Sequence, residues 1–271
     1  MKPLLRWAGG KQWISERLCR MVPDDIGTYY EPFAGGGSLF FRLLPDRAIL
    51  SDLNVQLMEA YRVMRDYPNR LAAVLGRWPN NEATYYRVRN ANYSDRINRA
   101  AQLIYLNRTC WNGLYRVNRS GKFNVPFGRN GRRVFDNGHL LNVSKSLQNV
   151  KLCCGDFATV VGTASAGDFV YLDPPYSTHR KRNGFIQYNE KIFSWNDQRR
   201  LGDIAVRLAD RGCHVVITNV GYKPILEFYP GFSHKEISRS SVLAADPSFR
   251  QPTTELLIYS KGLCPIRQAQ G

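Results

Sequence analysis

Several features that would indicate a membrane, secreted or metal-dependent protein are missing from this 271-residue sequence. No stretch approaches the ~18 consecutive apolar residues of a transmembrane helix. The N-terminus, from Met1 to Trp7, lacks the apolar segment of a signal peptide. None of the six cysteines forms a CxxC pair, and the four histidines do not cluster with them. The sequence therefore predicts a soluble cytoplasmic protein with reduced cysteines, no membrane partner and no metal.

Acidic residues are also scarce relative to basic ones. The chain has 38 Lys and Arg against 22 Asp and Glu, a formal net charge of +16. Eleven basic residues lie between Tyr85 and Arg133, where Asp95 is the single acid, so this window carries +10 of the excess. Charge concentrated in this way favours a polyanion such as nucleic acid as the partner. A basic surface without any specific partner is the alternative.

Residues 170–176 predict a strand that ends in a ligand site. The stretch begins with apolar, β-branched and aromatic residues, as a buried strand does, and must end at Asp173 because Pro174 and Pro175 cannot continue a ladder. Ligands of open α/β sheets bind outside the carboxyl ends of strands. Asp173 and a proline carbonyl can accept N–H bonds from a planar amino-bearing ring, and Tyr176 can stack on its face.

Two earlier stretches predict a site for a nucleotide-type cofactor. A short strand ending at Glu31 leads into the glycine turn at residues 35–37, and a second strand reaches the acid Asp52. This order resembles dinucleotide sites, in which an acid at the second strand tip binds ribose hydroxyls. Neither the P-loop pattern nor GxGxxG is present, which favours an adenosine cofactor without phosphates. A helix N-cap is the alternative role for Asp52.

The remaining pattern predicts an α/β fold with an insertion. Further strands are expected at residues 150–154, 214–219 and 255–259, with a helix over 196–210. Residues 56–144 are instead rich in Asn, Arg, Tyr and Gly, with a helical run near 99–107 and a hairpin signal at 122–127. Arginine, asparagine and aromatic residues interleaved in this way suit DNA. We therefore expect a catalytic domain of residues 1–55 and 145–271 and a recognition domain of residues 56–144.

Together these motifs resemble the DNA adenine methyltransferase (Dam) family, over nearly the whole chain from Leu4 to Tyr259. Asp-Pro-Pro-Tyr at 173–176 is fairly specific for amino methyltransferases. The resemblance also includes Trp-Ala-Gly-Gly-Lys at 7–11, Glu-Pro-Phe-Ala-Gly-Gly-Gly-Ser at 31–38, Asn-Gly-Leu-Tyr-Arg at 112–116 and Phe-Asn-Val-Pro-Phe-Gly at 123–128. Cofactor glycines precede the insert, and the insert precedes Asp-Pro-Pro-Tyr. This order resembles the alpha group of amino methyltransferases.

The resemblance implies a Rossmann-like S-adenosylmethionine-dependent methyltransferase sheet, with a mostly helical plus hairpin insert that recognises double-stranded DNA. S-adenosylmethionine would methylate N6 of an adenine flipped from the duplex, without a covalent enzyme intermediate. Hydrogen bonds from the amino group to Asp173 and the Pro174 carbonyl would localise its lone pair toward the methyl group. The implied catalytic residues are Asp173, Pro174, Pro175 and Tyr176, and the implied cofactor residues are Trp7, Lys11, Phe33, Gly35, Asp52, Asp156, Phe157 and Asp173.

For DNA, the resemblance implies that Leu114, Arg116 and Pro126 face base edges and that Trp111 and Asn112 insert into the stack. GATC is the expected target. An N4-cytosine methyltransferase, an RNA or protein-glutamine methyltransferase and an inactive DNA-binding module are the alternatives. We expect a bacterial or phage monomer without an obligate protein partner. The candidate DNA-binding residues are Arg6, Arg108, Trp111, Asn112, Leu114, Arg116, Asn118, Arg119, Pro126 and Arg129.

Overall fold

The computed structural model describes residues 1–113, 115–118, 121–129, 134–176, 193–239 and 253–263. The chain divides into two compact units. The first comprises Met1–Cys19 and Ala34–Asp156, and the second comprises Arg20–Phe33 and Phe157–Gly271. The predicted recognition segment, residues 56–144, therefore falls within the first unit.

The described strands form a mixed seven-stranded sheet in the order β3-β2-β1-β4-β5-β7-β6. The pairs β2–β3, β1–β4 and β4–β5 are parallel, and β7 runs antiparallel to both β5 and β6. The predicted α/β class is confirmed. The strands are β1 (Tyr29–Glu31), β2 (Ala48–Asp52), β3 (Val150–Cys154), β4 (Phe169–Leu172), β5 (His214–Val220), β6 (Ser233–Arg239) and β7 (Thr253–Tyr259).

Nine α-helices are present in the described part of the chain, together with 3₁₀ turns at Trp111–Gly113 and Lys223–Phe228. None of these described helices is long and apolar enough to cross a membrane. The helices are α1 (Ser15–Cys19), α2 (Phe40–Leu43), α3 (Val55–Asp66), α4 (Pro68–Gly76), α5 (Glu82–Asn90), α6 (Arg96–Thr109), α7 (Asn137–Ser146), α8 (Phe157–Val161) and α9 (Trp195–Asp210).

In the first unit, side chains that accept backbone N–H bonds set where the helices begin. Asn54 caps α3 by accepting from the Leu57 N–H at 3.0 Å, and Asp95 caps α6 by accepting from the Ile97 and Asn98 N–H groups. Such caps satisfy donors that the first helical turn leaves unpaired. Helix α6 is buried along most of its length and packs against α3, α4 and α5, so it forms the centre of the helical insert.

Buried tyrosines fix the loops of the insert to its helices. The Tyr85 hydroxyl donates to the Val125 carbonyl at 2.7 Å, and the Tyr105 hydroxyl donates to the Pro79 carbonyl at 2.8 Å. Each bond satisfies a polar group that would otherwise be costly to bury. The Tyr85–Val125 bond holds the segment around Val125 against α5.

In the second unit, the parallel strands β1, β4 and β5 are followed by the antiparallel pair β7 and β6. Helix α9 begins with a capping box, in which Ser194 and Asp197 each accept from the other's backbone N–H. Strand β6 was missed by the sequence prediction. Its sequence is polar, it lies at the sheet edge, and Ile237 is the one buried side chain among its described positions, so the apolar alternation typical of a strand is weak.

Candidate functional site

The glycine turn is tied to the tip of β2 within the first unit. The Gly35 N–H donates to Asp52 Oδ2 at 3.0 Å, and the Gly35 carbonyl accepts from the Tyr61 hydroxyl at 2.9 Å. Gly35 has a φ of 47°, and a Cβ there would lie 2.7 Å from Cδ1 of Trp7. Only glycine fits this position. The turn therefore brings a backbone loop, an indole edge and a carboxylate together.

Asp52 is held as an oriented acceptor. Its Oδ1 accepts from the Asn54 N–H at 2.9 Å, in addition to the Gly35 bond on Oδ2. Burial raises the pKa of Asp52, and the backbone hydrogen bonds from Asn54, Gly35 and Leu53 oppose that rise without cancelling it. The N-cap alternative for Asp52 is wrong, because the residue that caps α3 is Asn54.

Trp7 connects the N-terminal segment to the recognition segment. Its ring stacks on Tyr115, with centroids 4.9 Å apart and planes 19° apart. The Tyr115 hydroxyl then donates to Gln56 Oε1 at 2.8 Å, on the first turn of α3. Nearby in sequence, Lys11 is 2% exposed and its ammonium donates to the Gly9 carbonyl at 2.8 Å. Trp7 and Lys11, both predicted cofactor residues, therefore lie on one hydrogen-bonded N-terminal turn.

Asn107, a fully buried amide on α6, binds both functional segments at once. Its Oδ1 accepts from the Arg6 N–H at 2.9 Å, and its Nδ2 donates to the Arg6 carbonyl at 2.6 Å. The same Nδ2 lies 3.4 Å from the Gly113 carbonyl. This pairing fixes the backbone just before Trp7 to the 3₁₀ turn at Trp111–Gly113.

The recognition segment presents an aromatic side chain to solvent. Trp111 is 50% exposed, and the neighbouring Asn112 is also exposed and adopts a φ of 54°. The turn is anchored by a hydrogen bond from the Trp111 N–H to the Pro126 carbonyl at 2.9 Å. An exposed tryptophan on a firmly held turn is the geometry expected of a side chain that inserts between bases.

The predicted hairpin is confirmed in the described residues. Val117 pairs antiparallel with Phe123, and the Asn118 N–H donates to the Lys122 carbonyl at 2.8 Å. Arg116 is exposed on this hairpin, where its Nε donates to Asn124 Oδ1 at 3.0 Å. This contact orients the guanidinium at the surface of the hairpin.

The other candidate DNA-binding residues differ in their surroundings. Arg129 is exposed and forms an ion pair with Glu82 at 3.3 Å. Arg108 donates to the Val134 carbonyl at 3.1 Å and to the Leu4 carbonyl at 3.4 Å, so its guanidinium braces the backbone. Pro126 and Asn118 are exposed, whereas Arg6 packs its side chain against Gly113. Leu114 and Arg119 lie outside the described residues.

In the second unit, predicted cofactor residues form an aromatic cluster. Phe33 lies 5.3 Å from Phe157 and 5.6 Å from Phe193 between ring centroids. The Arg200 guanidinium lies 4.5 Å from the Phe157 ring centroid, at a distance typical of a cation–π contact. Asp156, the residue before Phe157, is half-buried. Phe157 itself is buried, which holds the ring in one orientation.

The Asp-Pro-Pro-Tyr loop follows β4 directly. The strand ends at Leu172, one residue before the predicted end at Asp173. The Thr218 hydroxyl donates to Asp173 Oδ1 at 2.7 Å. Tyr176 is half-buried, and burial raises the pKa of its phenol well above the usual range, with further increases from the negative charges of Asp173 and Glu255. The raised pKa favours the neutral phenol form of Tyr176.

Sequence reasoning missed several residues that support these positions. Tyr61, Asn107 and Thr218 bind the glycine turn, the N-terminal segment and the Asp173 carboxylate respectively. A polar residue inside an apolar run is the one signal they offer, as in Ile-Thr-Asn at 217–219. In the described residues, no group of three or more His, Cys, Asp or Glu side chains could hold a metal ion.

The family model and the curated relatives indicate the same family. Residues 7–242 match the family model described as D12 class N6 adenine-specific DNA methyltransferase. The chain is 34% identical to type II methyltransferase M1.LlaDCHI of Lactococcus lactis subsp. cremoris, covering 97% of this chain and 96% of that one. It is 38% identical to type II methyltransferase M.MjaIII of Methanocaldococcus jannaschii, covering 88% and 91%. It is 30% identical to DNA adenine methylase of Salmonella typhi, covering 98% and 99%.

Proposed function

Because the chain belongs to the D12 class of N6 adenine-specific DNA methyltransferases, we propose that it methylates an adenine flipped out of double-stranded DNA, within GATC, at the loop of Asp173 to Tyr176. The observation that carries the proposal is the loop itself. An oriented carboxylate, a proline carbonyl and a neutral phenol ring follow one strand end, which is the set needed to hold an amino-bearing base. The predicted N4-cytosine and inactive alternatives are not supported by the family match.

The methyl donor of this family is S-adenosylmethionine, and residues of the first unit fit it. When bound, it supplies a methyl group on a sulfonium. Asp52 is a partly desolvated acceptor that suits a ribose hydroxyl pair, and Gly35 leaves no room for a side chain of its own. A Cβ at Gly9 would meet nothing within 4 Å, so there is open space beside the Lys11 turn. Asp156, Phe157 and Phe33 are the proposed residues for the cofactor adenine.

The catalytic role of the loop follows from the chemistry of an adenine amino group. Its lone pair is conjugated with the ring, which makes the nitrogen a poor nucleophile. Acceptor bonds from Asp173 and the Pro174 carbonyl draw the two N–H groups into fixed directions and free the lone pair from conjugation. Tyr176 stacks on the base. These residues act by position and electrostatics, without forming a bond to the substrate.

DNA binding is assigned to residues 56–144, with residues 1–55 and 145–271 forming the catalytic domain. The proposal is supported by the exposed Trp111 turn and the exposed Arg116 on the hairpin, within a window of net charge +10. Arginine reads guanine through two hydrogen bonds, and an inserted aromatic ring fills the space left in the stack. The protein acts as a monomer.

The test is methyl transfer from labelled S-adenosylmethionine to a duplex with one GATC site, followed by nucleoside analysis. We expect label in N6-methyl-2′-deoxyadenosine. A duplex with a scrambled site should be methylated at least about tenfold more slowly, because each mismatched base pair costs ~1–3 kcal/mol. Equal rates on both duplexes would contradict GATC as the target sequence but not adenine methylation. Label on cytosine would contradict adenine methylation itself.

A second measurement tests the loop and the flipped base. Asp173→Asn should slow methyl transfer by about 10²-fold or more, since it removes a charged acceptor from the reacting amino group. Replacing the target adenine by 2-aminopurine should give a fluorescence increase on binding, because the probe leaves the stack. No increase with a bound duplex would exclude base flipping. Sedimentation of the protein–DNA complex checks the monomer.

A further inference from the structure

Asp173 is held by a buried chain of hydroxyl groups that the proposed methyl-transfer chemistry does not itself require. The Thr218 hydroxyl donates to Asp173 Oδ1 at 2.7 Å, and the Tyr171 hydroxyl lies 2.9 Å from Thr218 Oγ1. Tyr171 and Thr218 are each 1% exposed. Both hydroxyl groups are therefore shielded from bulk solvent, and these two hydrogen bonds are made within the protein.

The direction of the two hydrogen bonds is determined. A threonine hydroxyl has one proton, and that proton is donated to Asp173. The Tyr171 hydroxyl must therefore be the donor toward Thr218. Burial, followed by the charge of Asp173, raises the pKa of Tyr171 well above its usual range, so the phenol keeps its proton. The dipoles of both hydroxyl groups point toward the carboxylate.

The chain is also rigid, because both residues lie on central strands. Strand β4 pairs with β5 in the register Tyr171↔Val216 and Leu172↔Ile217, and Thr218 pairs with Leu257 of β7 on the other side. A β-branched side chain on such a strand has few rotamers. Groups fixed to sheet strands hold a catalytic residue more accurately than groups on loops. Asp173 itself follows the strand end, where no ladder fixes its side chain.

We propose that Thr218, oriented by Tyr171, is a positioning residue that sets the angle of the Asp173 carboxylate for methyl transfer. The inference rests on the catalytic role proposed above for Asp173. A carboxylate has about four lone-pair sites and the bond from Thr218 uses one of them, so this bond does not itself prevent the group from accepting from a substrate amino group. Fixing Oδ1 fixes the carboxylate plane, and the plane decides the direction of every other hydrogen bond the group accepts.

Two further carboxylates help to keep the proton on the Tyr171 hydroxyl. Glu31 and Glu255 both act electrostatically on the Tyr171 hydroxyl, as Asp173 does. Glu31 is buried and accepts from the Tyr29 hydroxyl at 2.8 Å. The Tyr171 phenol therefore stays a donor, and the Tyr171–Thr218 chain keeps both hydroxyl dipoles directed at Asp173.

The experiment compares matched variants in single-turnover methyl transfer, with duplex DNA and S-adenosylmethionine saturating. Thr218→Val removes the hydroxyl with little change in shape, and Thr218→Ser restores it. We expect Thr218→Val to be slower by about 10- to 100-fold, because it loses a hydrogen bond to a charged group. Thr218→Ser should stay within about threefold of the wild type. Dissociation constants for DNA and cofactor should change less than about twofold, so that the loss lies in the methyl-transfer step and not in binding.

Tyr171→Phe tests the order of the chain. It should give a smaller loss than Thr218→Val, and the double variant should be no slower than Thr218→Val alone, because Tyr171 acts through Thr218. Thermal unfolding of each variant separates loss of fold from loss of rate. If Thr218→Val does not fold, the comparison of Tyr171→Phe with Thr218→Ser still tests the chain.

The inference is overturned if Thr218→Val transfers methyl within threefold of the wild-type rate, if Thr218→Ser is as slow as Thr218→Val, or if the effects of Tyr171→Phe and Thr218→Val simply add. Asp173→Asn is measured in parallel. An inactive Asp173→Asn with a fully active Thr218→Val removes the positioning role and leaves the proposed function intact. An active Asp173→Asn overturns the catalytic assignment, and the positioning role with it.

Discussion

Replacing Asn107 by leucine should destabilise the first unit by about 3 kcal/mol. The amide is fully buried and makes hydrogen bonds of 2.9 and 2.6 Å to the Arg6 backbone and a weaker one of 3.4 Å to the Gly113 carbonyl. A buried backbone group left without its partner costs about 1–3 kcal/mol. Leucine has a similar volume, so no large cavity offsets or adds to this cost. The two Arg6 groups together give a range of about 2–6 kcal/mol, and the lower half of that range applies because Arg6 is half-buried.

Urea unfolding measures the change, with Asn142→Leu as the matched control. Asn142 is an exposed residue of α7, where the same substitution should change stability by less than about 0.5 kcal/mol. Asn107→Leu should also weaken DNA binding at temperatures where the variant is fully folded, because the amide positions the turn that carries Trp111. A loss of stability below 1 kcal/mol, or one equal to the control, would refute the reasoning.

Three further variants test the glycine turn of the cofactor site, the carboxylate of Asp52 and the recognition of DNA bases by Arg116, and a fourth serves as a control. Gly35→Ala places a methyl 2.7 Å from the Trp7 ring at a φ of 47°, so calorimetry should show cofactor binding weakened by at least about tenfold. Gly121→Ala is the control, because Gly121 also has a positive φ, 72°, but a Cβ there would meet nothing within 4 Å. This control should bind the cofactor normally. Asp52→Asn should weaken binding by about 10- to 100-fold. Because burial raises the pKa of Asp52, wild-type affinity should fall on acidification at a higher pH than an ordinary aspartate would give, and the variant should lack that fall. Arg116→Ala should relax one guanine preference by ~1–3 kcal/mol in competition assays on single-base variants, and unchanged sequence preference would contradict base readout.

Much of the candidate site was predictable because its signals are local. Pro174 and Pro175 end a strand wherever they occur, and β4 does end just before Asp173. A glycine run between a strand and a helix predicts a tight turn, and Gly35 has the positive φ that such a turn requires. The hairpin near Phe123 was predicted from turn residues and alternation. Each of these features depends on neighbours a few residues away.

Strand β6 and the helix boundaries of the insert were less predictable. The polar sequence of β6 is tolerated because an edge strand buries little, so pairing with β7 decides its conformation. The helical run predicted near residues 99–107 proved longer, as α6 spans Arg96–Thr109. Its N-terminus is set by the Asp95 side chain, and a cap acts on backbone groups without altering the apolar pattern.

The sequence by itself determined the α/β class, the strand tips that carry Asp52 and Asp173, and the basic insert, because periodicity, prolines, glycines and charge are local properties of the chain. Only the tertiary structure decided which polar groups hold these residues. Thr218 binds an acid 45 residues away, and Asn107 binds a backbone 101 residues away. Hydrogen bonds depend on distances of a few tenths of an ångström between atoms, and these are set by how the strands and helices pack.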